Sequence, residues 1–163
     1  MLKFFLCGNN FFMKKIIVFV SILCAFCALS FFKIEKNPIF ELKNVEKVCL
    51  VSEQEYSDME SVVCGNKFFN YCTLEQAKEK VVELENNIDS MQFYLKGVDF
   101  KNLCNLLNVE IVSSIDLGSL KVYCCYSPYA QKSVLIDGKK VNVQIALEGK
   151  NIIAGFPMIL TGY

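Results

Sequence analysis

Apolar and polar positions alternate most regularly near the C-terminal end of the chain. Val141, Val143, Ile145 and Leu147 fall on one face of an extended segment, with Asn142, Gln144, Ala146 and Glu148 on the other. That period of two predicts a half-buried strand in an antiparallel sheet. Asp137-Gly138 and Glu148-Gly149-Lys150 divide residues 134–163 into three apolar runs, and Asp-Gly between such runs is a hairpin signal. The same reading predicts strands at Val45–Ser52, Glu60–Cys64 and Lys67–Cys72. The last two are joined by the turn-forming pair Gly65-Asn66, and Glu53–Asp58 is an acidic loop.

The period changes to 3.6 after Cys72. Leu74, Ala77, Val81, Leu84 and Ile88 form one apolar stripe, and Thr73 with Gln76 forms a capping box at its start. Glu75, Glu79, Lys80, Glu83 and Glu85 lie around the rest of this helix as a solvated face. Asn86-Asn87 and Asp89-Ser90 end it, and Met91–Leu95 is a short strand closed by Gly97. Asp99 caps a short helix over Phe100–Leu107, with Phe100, Leu103, Leu106 and Leu107 inward. Strands follow at Val109–Ile115 and Leu120–Tyr126, and Ser127-Pro128 breaks the second. Helices and strands do not alternate regularly, and no repeat of 20 to 50 residues is visible. The expectation is therefore an α+β domain over residues 45–163: an antiparallel sheet with one long and one short helix on one face, the other face partly wet.

Composition narrows the chemistry. The 163 residues are 53% hydrophobic, with 17 lysines against 17 acids and no Arg, His or Trp. An AT-rich coding sequence accounts for that bias most simply, but its consequences are physical. There is no imidazole to act as a base or metal ligand, and no guanidinium to clamp a phosphate.

Lys14-Lys15 precede Ile16–Phe32, an apolar run in which only Ser21 and Ser30 are polar. A basic pair before such a run has the form of a signal peptide, and Ala28-Leu29-Ser30 offers a cleavage site before Phe31. The competing reading is an uncleaved anchor, since 17 residues sit at the lower limit for a bilayer span. Both place the body outside the cytoplasm. Met13-Lys14-Lys15-Ile16 opens like an ordinary signal, so Met13 is the expected start, and residues 33–44 read as a linker. Residues 31–163 hold 14 lysines against 17 acids, which argues against a nucleic-acid partner. The membrane enters only through the N-terminal segment.

Six cysteines remain in the body: Cys49, Cys64, Cys72, Cys104, Cys124 and Cys125. An even count in an exported chain suggests disulfides, but pairing stays open. Cys64–Cys72 needs a loose loop, Cys49 is a rival partner, and all six reduced is equally compatible. Cys104 reads as a small buried hydrophobe, and Cys124 and Cys125 point to opposite faces of one strand. No CxxC pair occurs in the body, so no metal site is expected; no cofactor is expected either. No catalytic residue stands out. A thiol nucleophile has no imidazole base here, and Glu53, Glu55, Asp58 and Glu60 read as a loop region without the placement a carboxylate-based hydrolase needs.

Three segments carry a resemblance: Tyr126-Ser127-Pro128; Asp137 to Ala146, with Asn142 and Gln144 two apart on a strand; and Gly155-Phe156-Pro157 opening the run to Tyr163. Together they resemble the YwmB family of Bacillota, described as TATA-box-binding-protein-like. Family members are longer, with two related halves, and favour Thr where Phe156 stands. The resemblance implies an extracytoplasmic protein without an established activity. The functional expectation is a non-enzymatic envelope module that binds an unidentified protein or envelope partner through the face presenting Tyr123, Asn142 and Gln144. An extracytoplasmic enzyme, such as a carboxylate-based hydrolase, is the alternative.

Overall fold

The computed structural model describes residues 37–84 and 87–161. The expected export segment, residues 33–36 of the expected linker, and Gly162-Tyr163 of the terminal motif lie outside them.

Among the described residues, ten strands and two helices make an α+β fold. The strands are β1 (Val45–Ser52), β2 (Glu60–Cys64), β3 (Lys67–Cys72), β4 (Ile88–Lys96), β5 (Glu110–Asp116), β6 (Leu120–Tyr126), β7 (Val134–Ile136), β8 (Lys139–Val141), β9 (Val143–Glu148) and β10 (Asn151–Phe156); the helices are α1 (Leu74–Leu84) and α2 (Phe100–Leu107). Eight strands form one antiparallel sheet in the order β2-β3-β1-β4-β10-β9-β6-β5, and β7 and β8 form a separate ribbon.

Local chemistry starts both helices. The Gln76 amide donates to Thr73 Oγ1 at 3.3 Å, and Gln76 Oε1 accepts from the Thr73 amide at 3.0 Å, which is the reciprocal capping box. Asp99 Oδ1 accepts from the Asn102 amide at 2.9 Å, and Asn108 ends α2 in the left-handed conformation.

The main core lies between the helices and one face of the sheet. Ala77, Leu103 and Leu107 pack with Val48, Leu50, Phe93, Leu95, Val143, Ile145, Ile152 and Ala154, all buried. The opposite face carries two smaller apolar clusters. Cys49, Val51 and Phe69 form one; Val122, Ala146 and Ile159 form the other.

Four local expectations need correction. Residues 38–44 are not simply a linker, because Pro38–Glu41 is a 3-10 turn and Ile39 and Leu42 are buried in the main core. Ile88 does not continue the helical stripe but opens β4, where it pairs with Ser52. Leu106 points outward, since Leu103 and Leu107 already occupy the inner stripe of α2. The C-terminal alternation breaks at Asn142, which separates β8 from β9, so six strands rather than five follow α2.

Candidate functional site

Tyr123, Asn142 and Gln144 do not share an open face. Tyr123 pairs with Ile145 and so faces the helices, where its ring lies 4.6 Å from that of Phe100. Asn142 is buried and fully engaged. Its Oδ1 accepts from the Ser127 amide at 2.7 Å, and its Nδ2 donates to the carbonyls of Ser127 and Ala130 at 2.7 and 2.9 Å. It holds the turn after β6 and is not a contact surface.

Gln144 lies on the second face, but the chain covers it. Gln92 on β4, Gly155 on β10 and Gln144 on β9 stand side by side across three strands. Residues 157–161 run back over Gly155. Gln144 Oε1 accepts from the Ile159 amide at 3.0 Å, and Gln92 Oε1 accepts from the Thr161 hydroxyl at 2.7 Å. Ser90 donates to the Met158 carbonyl at 2.5 Å, and Tyr94 OH donates to Thr161 Oγ1 at 3.0 Å. A β-carbon on Gly155 would stand 2.6 Å from the Met158 carbonyl carbon, so glycine alone admits this strap.

The six cysteines among the described residues are all free. Cys49 pairs across β1 and β3 with Tyr71, whereas Cys72 pairs with Val48, so these two thiols lie on opposite faces. Cys64 pairs with Lys67 at the hairpin turn, at the other end of β3 from Cys72. The pairings left open by sequence therefore do not form. Burial pushes the Cys49 and Cys125 thiols up to about 12 and Cys72 up to about 11. Such thiols are poor nucleophiles. Lys47 Nζ sits 4.6 Å from the ring centres of both Tyr71 and Tyr94, and burial pushes the Tyr71 phenol up to about 12. Glu53 and Asp89 both bind Lys67 at 2.9 Å, and Asp58 lies 3.7 Å from Lys80. Among the described residues no three His, Cys, Asp or Glu side chains converge as a metal site, and no helix is long and apolar enough to cross a membrane.

The surface that remains is at the β5 end of the sheet. A register shift between Ile111 and Ser113 turns Ile111 toward the face of Cys125 and Ile115 toward the face of Val122. Both are exposed, at 49% and 54%. The adjacent β7–β8 ribbon presents Leu135, which is 76% exposed. Glu110, Ile111, Val112, Tyr126, Lys139 and Lys140 line a shallow groove of about 470 Å³. Lys140 Nζ lies 5.6 Å from the Tyr126 ring centre. An apolar floor with carboxylate and ammonium groups on its rim can hold an extended or helical segment of another protein. A second depression of about 570 Å³ lies between the 3-10 turn and α2, lined by Leu42, Val98, Leu103 and Leu106 with Glu41 and Asp99. Its Asp99 is committed to capping the helix.

In an unbroken strand Ile111, Ser113 and Ile115 would share one face. Only the bulge and the edge position expose these residues, and neither leaves a signal in the sequence. No family model, curated protein or solved structure matches the chain.

Proposed function

We propose that this chain is an exported, YwmB-like module of the cell envelope that acts by binding a protein partner, with the β5 edge and the β7–β8 ribbon as its contact surface. The observation that carries the reading is the exposure of Leu135 at 76% beside a groove of mixed charge. Large apolar side chains rimmed by polar groups are the usual composition of a protein contact surface. The Lys14-Lys15 pair and apolar run support export.

Site-specific photocrosslinking in intact producing cells tests the proposal. A photoreactive residue at position 135 or 111 should give a discrete adduct, while one at Val82, more exposed than either but on α1, should not. Adding Leu135→Asp to the position-111 probe should weaken the adduct. Equal labelling from all three positions, or none from 135 and 111, overturns the assignment.

A further inference from the structure

The two edges of the large sheet differ in how they are guarded. β5 carries the register shift at Ile111/Ser113 and an acid at each end, Glu110 and Asp116. Antiparallel pairing of β5 with a copy of itself about Ser113 would set Glu110 against Asp116, like charge against like. Bulges and charges of this kind are how sheet edges are kept from pairing.

β2 has no bulge and only one end charge, Glu60. Its sequence is Glu60-Ser61-Val62-Val63-Cys64, without proline or lysine, and its pairing with β3 runs without a shift. Val62 and Val63 are 51% and 63% exposed, one on each face. The two-residue turn Gly65-Asn66, with Gly65 at φ 63°, makes the flanking Cys64 and Lys67 a hydrogen-bonded pair. By alternation, Glu60, Val62 and Cys64 aim their backbone groups at β3. Ser61 and Val63 aim theirs outward, with no strand beyond them among the described residues.

We propose that β2 pairs antiparallel with β2 of a second copy of this chain, about a two-fold axis at Val62, continuing the sheet from one copy into the other. In this register Ser61 meets Val63 of the second copy, so the outward N–H and C=O groups bond each other twice over. Val62 meets its own counterpart, on the face it shares with its β3 partner Phe69. Glu60 meets Cys64, and no like charges oppose. A slip of one residue sets outward groups against inward ones, and a slip of two leaves a single outward pair aligned within the strand. The partner surface around Leu135 stays free at the far end of each copy, so this pairing does not depend on it.

Sedimentation equilibrium of the purified full chain should show a concentration-dependent dimer. Val63→Pro removes one outward donor at an exposed edge position, where proline is tolerated, and should leave a monomer. Ile115→Asp on the opposite edge should leave the dimer intact. Glu60→Cys provides an independent reading. Its thiol would face Cys64 of the second copy in a non-hydrogen-bonded pair, about 4.5 Å between Cα atoms and within disulfide reach. Mild oxidation should link the two positions, identified by peptide mass. In the unaltered chain Cys64 lies four residues out of register with its own counterpart, roughly 13 Å, and should not link to it. A monomer at every concentration, a dimer that survives Val63→Pro, or oxidation without the 60-to-64 link overturns the proposal.

Discussion

Gly155 is the position where one added carbon does most. Its neighbours are backbone atoms, the Met158 carbonyl carbon at 2.6 Å and the Ile159 nitrogen at 2.7 Å, so a methyl group cannot be absorbed by a side-chain rotation. Gly155→Ala is expected to cost about 1–3 kcal/mol or more and to lift residues 157–161 off the sheet. Urea unfolding reads the first effect. Fast hydrogen exchange at the Ile159 and Thr161 amides reads the second, because those amides lose Gln144 and Gln92 as acceptors. The thiols make a different residue-scale prediction. Cys49, Cys72 and Cys125 stay protonated in the fold well above the ordinary value of 9.0, chiefly because burial disfavours the thiolate. The unfolded chain releases those protons near pH 9, so their contribution is whole below that pH and falls as pH rises toward 11–12. The urea midpoint should decline through this window, less steeply in Cys125→Ala. At pH 8 a thiol reagent should label Cys64, the exposed one, long before those three.

At the scale of elements, the legible parts are those decided by neighbours in the chain. The bounds of β1, β2 and β3 and the caps of both helices follow from alternation, turn residues and side-chain oxygens placed three residues from an amide. What alternation could not supply is which strand lies beside which. Tyr123 and Gln144 face opposite ways because β6 pairs with β9 in a register that matches Tyr123 to Ile145. Asn142, Gln144 and Gly155 have structural work. Asn142 holds the turn after β6, and Gln144 and Gly155 seat the strap. Two adjacent substitutions in β9 test these roles. Ile145→Ala, in the main core, is expected to cost ~2–5 kcal/mol. Gln144→Ala is not neutral, because it leaves the Ile159 amide without its acceptor, and about 1 kcal/mol is expected. Both are read as shifts of the urea midpoint at constant slope. Equal losses at the two positions would mean that the strap is as strongly held as the core.

For the whole molecule, the α+β architecture is legible in the sequence because helical and strand periods occur in an order that no doubly wound sheet uses. The candidate site was not, since exposure at Ile111, Ile115 and Leu135 comes from lying at a sheet edge and on a protruding ribbon. Export is the prediction at this scale. Residues 13–36 fused to a reporter active only outside the cytoplasm should give activity, and replacing Lys14-Lys15 with acids should weaken it; activity from a cytoplasm-only reporter would reverse the assignment. The position of β10 then acquires a meaning in time. It follows every other strand in the chain yet lies at the middle of the sheet, between β4 and β9. In a chain emerging N-terminus first, the place between β4 and β9 stays unfilled until residue 156 has emerged. Contacts this distant in sequence form slowly, so the folded state is postponed until nearly all of residues 37–161 are through. A chain that must cross a membrane unfolded benefits from that delay, and one stopped short of β10 would present two open templates for aggregation.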